Sequence, residues 1–403
     1  MTDHTAAVRG WLDDRADDMA ALLVRLVAEE TENPPGRGLG RCARVLADAM
    51  KELGLEPEVF PVAHDGDLED PVVVRGTVGE GPRVVYFHGH FDVVPAQHPR
   101  QFQAERRDGW ITGRGTADMK GGIVAMLYGA AAARDLGLLG DGRVVLHLVC
   151  DEETGSVAGS GHLRDANLID SEALAMVTAE PSGGVIWNAA RGAVSLRVEL
   201  RGREAHVGQA DQGVNAFRHM LHVARPLFGY AAELAGRHTS FPMADGDARG
   251  SMLVVGGTSG GGSNFNVVPG SAWFTVDGRF NPEEDPAAAL ERMTDLIDGA
   301  AAEIGAAVSV DVTQVQPAAG VAAGAPAAVA LAGCVEAVTG VAPRFELCPG
   351  VLDIRWYAQL GIPAFGYGPG RLDVSHGPDE HVEEEALRRC AAVYALYARE
   401  LLS

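Results

Sequence analysis

Three apolar or β-branched runs in the first half of the chain each end in a cluster of His and carboxylate residues, and helical stretches separate them. Val84–Phe87 leads into His88-Gly89-His90-Phe91-Asp92, Val144–Val149 into Cys150-Asp151-Glu152-Glu153, and Leu174–Val177 into Ala179-Glu180-Pro181. A further run, Val72–Arg75, precedes them. Short runs of this composition are strands. Asp118-Met119-Lys120-Gly121-Gly122 opens a helical stretch over Ile123–Ala133 between the first two clusters. Strands alternating with helices predict an α/β domain with a mostly parallel central sheet flanked by helices. In such sheets ligands bind beyond the carboxyl ends of the strands. The polar clusters fall at those ends.

The flanking segments complete this domain, and the middle of the chain departs from it. Val8, Trp11, Leu22, Leu23, Leu26 and Val27 have helical spacing, which predicts a helix over about Thr5–Glu29, ended by Asn33-Pro34-Pro35-Gly36. Ala43, Leu46 and Met50 mark a second helix. After Gly184 the pattern changes: Ala193–Leu200 alternates apolar and polar residues, as a half-exposed antiparallel strand does. Ala216–Ala224 and Pro286–Ile304 read as helices, Ala272–Val276 and Val308–Val315 as strands, and Ser259–Ser263 as a Gly-rich loop. At 403 residues the chain exceeds what one hydrophobic core covers. The expected organisation is a catalytic domain in two parts, 1–184 and 315–403, interrupted by a smaller α+β lid domain over 185–314. The Ala-, Gly- and Pro-rich stretch Pro317–Pro326 reads as the linker back.

Charge and cysteine content narrow the function. A formal net charge of -22 argues against nucleic acid and anionic membrane as partners, because phosphate binding needs clustered Lys and Arg. Five Cys, with no CxxC among them, suit buried thiols in a reducing compartment. The N-terminal residues lack the basic-then-apolar order of a secretory signal, and no apolar run is long enough to span a bilayer. The expected location is the cytoplasm.

The clusters supply imidazole and carboxylate groups, which are zinc ligands, and a catalytic zinc keeps one position for water. Singly, each has an ordinary reading: Asp118 could cap the helix that follows it, Glu152-Glu153 could be a solvated strand end, and His88 and Cys150 could be packing residues. Their recurrence at successive strand ends, with Ser375-His376-Gly377 near the C-terminus, points to a shared site. Two metals need a bridging group and two further protein ligands each, a count that one Asp, two His and two Glu meet.

The order HxD, D-M-K-G-G, E-E, E-P and a late His before G-P-x-E resembles the M20 metallopeptidase family, which includes acetylornithine deacetylase, succinyl-diaminopimelate desuccinylase, aminoacylase and carboxypeptidase G types. Asn33-Pro34-Pro35-Gly36, Asn266-Val267-Val268-Pro269, Gly361-Ile362-Pro363 and Gly368-Pro369-Gly370 extend the resemblance over nearly the whole chain. The resemblance implies one metal on His90, Asp118 and Glu180, and a second on Asp118, Glu153 and His376, with Asp118 bridging. It implies Glu152 as general base, Asp92 as the residue that orients His90, and His206 as the donor to the oxyanion. Asn266, Arg279, Arg355 and Gly368, with Arg191 as a weaker candidate, would line the substrate site, the arginines reading a carboxylate. The implied cofactors are two divalent ions, zinc with cobalt or manganese as alternatives. The implied activity is hydrolysis of the amide bond of a small carboxylate-bearing N-acyl amino acid, with a dipeptidase or carboxypeptidase as the alternative. A homodimer formed through the lid domain completes the expectation.

Overall fold

The run Val84–Phe87 lies inside the strand Arg83–His90, in which every residue after Arg83 is buried. That strand pairs parallel to Gly142–Val149 on one side and to Ala175–Thr178 on the other. Strands covered on both faces need no polar alternation, which is why these runs read as continuously apolar. The computed structural model describes residues 2–403 except 64, 65, 67, 245 and 247, with side chains described from residue 4. Contacts divide the chain into two compact units, one made of 1–188, 321–346 and 352–403, the other of 189–320 and 347–351.

The sheet of the first unit runs in the order Glu56–Pro61, Val72–Gly79, Gly142–Val149, Arg83–His90, Ala175–Thr178, Ala364–Gly366 and Ile186–Ala190. Its central pairs are parallel, and the pairs at the Glu56–Pro61 end are antiparallel. The fold is therefore mixed α/β with a mostly parallel centre. The helix Lys120–Asp135 is buried from Lys120 through Ala133. It lies against the C-terminal helix Glu384–Leu402 so closely that a Cβ on Gly129 would sit 2.7 Å from the Ala391 carbonyl oxygen. The Ala and Gly content of both helices permits this approach, and the resulting core is continuous with the sheet.

The second unit holds an antiparallel sheet in the order Met252–Gly261, Ser271–Phe280, Gly192–Arg201 and Ala307–Gln316. Strand Gly192–Arg201 alternates buried and half-buried positions from Val194 onward, as its sequence pattern predicts. The buried set packs under the helices Ala216–Ala235 and Pro286–Glu303, with Val198, Phe274, Met293 and Ile297 in one core.

Three local expectations change. The helix expected over Thr5–Glu29 is two helices, Thr2–Asp13 and Ala16–Val27. The break at Asp14-Arg15 lets both Leu12 and the Leu22–Val27 face reach the core, and acidic residues are weak helix interiors. The expected loop Ser259–Ser263 instead contributes Ser259–Gly261 to the strand Met252–Gly261, after a bulge between Val255 and Ser259. Glycine at 260 admits the Trp273 ring, which would lie 2.9 Å from a Cβ there. The linker Pro317–Pro326 contains Ala319-Gly320, paired with Ala189 and Ala190, and its Pro326 starts the helix Pro326–Thr339. Among the described residues no helix is long and apolar enough to cross a membrane.

Candidate metal centre

His90 ends its strand and is 1% exposed. Its Nδ1 donates to the Asp92 carbonyl at 3.0 Å, and its Nε2 faces Asp118 Oδ1 at 3.2 Å and Glu180 Oε1 at 3.9 Å. The Asp92 carboxylate lies 3.4 Å from the same Nδ1. It also accepts Asn33 Nδ2 at 2.9 Å and the backbone N–H groups of Glu152 and Glu153 at 3.2 Å each. Asp92 thus sets the His90 tautomer and fastens the Glu152-Glu153 segment to the end of the neighbouring strand.

In an extended strand Glu152 and Glu153 would point to opposite faces. The chain avoids this by turning into a short 3-10 helix, Glu152–Thr154, directly after the strand Gly142–Val149. Gly155, at φ 111, closes the turn. Glu180 follows the strand Ala175–Thr178 and is 5% exposed.

Asp118 does not cap the following helix: Met119 occupies the cap position, with no side-chain cap bond. The Asp118 carboxylate instead lies between His90 and His376, with His376 Nε2 3.2 Å from its Oδ2. The same His376 nitrogen is 3.4 Å from Glu153 Oε1. Two groups of ligand atoms result, His90–Asp118–Glu180 and Asp118–Glu153–His376, each with its members within 4.8 Å of one another. Asp118 belongs to both.

The electrostatics are those of an anionic pocket. Burial pushes the Glu180 carboxyl up to about 8, and the Asp118 charge adds to this. Burial likewise raises Glu153, and it raises Glu152 well above the carboxylate range with help from Glu180 and Asp353. The hydrogen bonds to Asp118 and Glu153 push His376 up to about 10. Burial alone would lower His90, but Asp118 and Asp92 hold it well above its usual value. Burial would raise Asp118, yet His376 and His90 hold it below the ordinary range. Protons therefore sit where cations would. Glu153 Oε1 and Glu180 Oε1, one in each group, are buried with a ring nitrogen 3.4 Å and 3.9 Å away, that of His376 and that of His90. Buried carboxylate oxygens facing imidazole nitrogens fit divalent cations, and an imidazole and carboxylate set suits zinc, cobalt or manganese.

A buried ion pair supports this cluster, and the sequence reading gave it no role. Glu380, 1% exposed, accepts the N–H groups of Ala117 and Asp118 on Oε1 at 3.0 Å each. Its Oε2 receives Arg114 Nη1 at 2.6 Å. Arg114 also donates to the His376 carbonyl at 3.3 Å and the Gly377 carbonyl at 3.4 Å. One pair therefore ties the Asp118 loop to the turn carrying His376, whose φ is 63. The available signal was Glu380 in the G-P-x-E segment beside His376. A second network lies under Glu152. Asp353, fully buried, accepts Ser156 Oγ, Ser160 Oγ at 2.6 Å and His88 Nε2 at 2.9 Å, which gives His88 a local hydrogen-bonding role.

Of the expected substrate residues, Arg355 and Gly368 belong to the first unit and Arg191, Asn266 and Arg279 to the second. Arg355 is 1% exposed, pairs with Asp353 at 3.1 Å and donates to the Gly155 carbonyl at 3.1 Å, so its fork faces inward on the loop behind Glu152. Arg191, 4% exposed, donates to Asn281 Oδ1 at 3.1 Å and to the Ala248 and Gly250 carbonyls. These two arginines are built into the interior, because their planar donors are matched by internal oxygens. Arg279 is partly exposed beside Asp277 at 2.9 Å. Gly368 is a close-approach position, where a Cβ would lie 2.1 Å from the Ala179 carbonyl and 2.5 Å from that of Glu180. His206 and Asn266 belong to the second unit. His206 is exposed, with Nδ1 accepting Gly208 N–H at 3.1 Å, and half-buried Asn266 accepts Val207 N–H on its carbonyl at 2.9 Å.

The family model for Peptidase family M20/M25/M40 matches residues 86–400. Succinyl-diaminopimelate desuccinylase of Corynebacterium glutamicum is 27% identical over 388 residues, covering 96% of this chain and 98% of that protein. The enzyme of the same name from Paracoccus denitrificans is 29% identical over 376 residues, covering 88% and 94%. The crystal structure of an M20 family metallo-carboxypeptidase from Sulfolobus solfataricus superposes with a TM-score of 0.75 at 16% identity, covering 95% of this chain and 99% of that one.

Proposed function

We propose, from the premise that this chain belongs to Peptidase family M20/M25/M40, a family of metal-dependent hydrolases, that it uses two zinc ions to cleave the amide bond of a small N-acyl amino acid. The observation that carries this reading is the pair of ligand groups sharing Asp118, each containing a buried carboxylate oxygen beside an imidazole nitrogen. Ions held by His90, Asp118 and Glu180, and by Asp118, Glu153 and His376, would polarise the scissile carbonyl and acidify water.

The protein's own groups divide the remaining work. Burial and the neighbouring Glu180, Asp353 and Glu153 charges raise Glu152 above the ordinary carboxylate value in the metal-free protein, and bound cations would oppose that rise and leave it an ionised base. It takes the proton of the attacking water and hands it to the leaving amine. Asp92 holds His90 and the Glu152 turn in place. His206 donates to the developing oxyanion. Arg279 and Asn266 read the substrate carboxylate. Arg355 supports the loop behind Glu152 from within, Arg191 is held inside the second unit, and the small residue at Gly368 keeps the wall behind Glu180 close. The two relatives named as desuccinylases favour an acyl amino acid over a dipeptide as substrate.

The homodimer belongs to the same proposal. Phe217, Leu221 and Phe228, each at least 50% exposed, mark the outer side of the helix Ala216–Ala235. The strand Met252–Gly261, with Val254 exposed, is an edge of its sheet. An exposed edge and an apolar helix face call for cover, which a second copy supplies.

The test is turnover of purified, zinc-loaded protein on a panel of succinyl, acetyl and formyl amino acids beside dipeptides. The expected result is hydrolysis of acyl amino acids that disappears on chelation and returns with zinc. Turnover confined to dipeptides would establish the peptidase alternative. Turnover unaffected by complete metal removal would refute the metal reading.

A further inference from the structure

One cavity in the first unit is not the metal centre. It holds about 670 Å³, and none of His90, Asp118, Glu152, Glu153, Glu180 or His376 lines it. That volume is in the range of small-molecule sites. It opens between the ends of the helices Pro326–Thr339 and Glu384–Leu402 and the short strand Trp110–Thr112.

Its lining inverts the charge balance of the chain. The whole sequence has 33 Lys and Arg against 55 Asp and Glu. Around this cavity stand Arg344, Arg371 and Arg389, with Glu383 as the one carboxylate. The acids that pair with Arg344 and Arg371, Glu346 and Asp373, are outside the lining. Arg389 pairs with Glu383 at 3.0 Å, and both side chains are 40% exposed. The Arg371–Asp373 and Arg389–Glu383 pairs are exposed and contribute only about 0–1 kcal/mol, so these two guanidinium groups can turn to an entering anion with little loss, while Arg344 stays paired to the buried Glu346. A planar guanidinium fork suits carboxylate or phosphate oxygens.

The rest of the wall is apolar. Val335, Val382 and Tyr367 are buried and face the cavity. Trp110 keeps 40% of its surface exposed and meets His381 edge-on, with ring centroids 5.1 Å apart. An exposed indole in an Arg-rimmed apolar cavity can take a ring or a branched chain beside a charged head group.

We infer that this cavity is a second ligand site, separate from the metal centre, for a small organic anion: a carboxylate or phosphate carried on an aromatic or branched apolar body. One wall contains Gly183 and Gly368, on the loops that follow Glu180 and precede His376, and Gly183 N–H bonds the Gly370 carbonyl at 3.0 Å. The experiment must therefore separate binding here from binding at the metals.

Zinc-loaded protein labelled with nitrogen-15 at its indoles is titrated with phenylacetate, phenyl phosphate and benzylamine, and the Trp110 signal is assigned with a Trp110→Phe variant. The expected result is a saturable shift with at least one anion and none with benzylamine. Which anion responds names the head group. The Arg371→Ala, Arg389→Ala double variant should weaken that binding by at least about tenfold, the equivalent of about 1.4 kcal/mol. Glu152→Gln should leave it intact. Four results would each overturn the inference: no saturable shift with either anion, equal binding of benzylamine, unchanged affinity in the double variant, or loss of binding in Glu152→Gln.

Discussion

Replacing Glu380 by Gln should weaken metal binding without touching a ligand. The Gln side chain keeps one oxygen, which can still accept the N–H groups of Ala117 and Asp118 that Glu380 Oε1 holds at 3.0 Å. Its amide nitrogen then faces Arg114 Nη1, which Glu380 Oε2 meets at 2.6 Å. Two donors confront each other, and Arg114, itself 1% exposed, loses its only carboxylate partner among the described residues. Removing one member of a buried ion pair costs about 3–5 kcal/mol of folding stability. The lower end applies here, because Arg114 keeps carbonyl contacts to Pro95, His376 and Gly377 at 3.3–3.4 Å. The same change loosens both the Asp118 loop and the His376 turn, and residues that hold metal ligands in place are typically worth about 10–100-fold in affinity. Because Asp118 belongs to both ligand groups, both sites should weaken together. Competition against a chromophoric zinc chelator reads the affinity, and urea denaturation of the metal-free protein reads the stability. If stability falls as stated while zinc affinity at both sites is unchanged, the Arg114–Glu380 pair supports only the fold and the reasoning fails.

Glu152→Gln should retain both metals and lose about 10²–10⁴-fold in turnover, and wild-type turnover in a fully loaded variant would remove Glu152 from proton transfer. His206→Ala should lower turnover by about 10²-fold with metal content preserved; metal loss at constant activity per bound zinc would reject the oxyanion role. Stability of the metal-free protein should fall as pH rises from about 5 to 10. Glu180 is raised to about 8 and His376 to about 10, above their ordinary 4.5 and 6.5. A raised folded-state pKa contributes stability below the unfolded value and loses it on passing through the folded one. Saturating zinc replaces those protons, so the stability gap between zinc-bound and metal-free protein should widen over that range, as denaturation midpoints at several pH values would show. A gap constant across it would contradict the assigned proton positions.

Much of the first unit was legible before any coordinates, because a strand buried on both faces must be apolar throughout. Arg83–His90 and Gly142–Val149 carry that mark, and the polar residues after them stand out against it. The half-exposed strand Gly192–Arg201 was legible through its alternation. The break at Asp14-Arg15 was not, because it depends on where the core lies relative to two successive apolar faces. Nor was the strand at Ser259–Gly261, where glycines usually mean a loop but here make room for the Trp273 ring.

The sequence by itself determined the kinds of groups available and their order along the chain: imidazoles and carboxylates at strand ends, within an α/β alternation set by backbone periodicity and burial. Tertiary structure alone decided which of those groups converge and which way each faces. The 3-10 turn at Glu152 breaks strand parity, Glu380 reaches back to Asp118, and Arg355 turns inward to Asp353. The bond from the Asp118 N–H to Glu380 spans 262 residues and that from Arg355 to the Gly155 carbonyl spans 200, so loop closure and the matching of buried polar groups, rather than local propensity, select these arrangements.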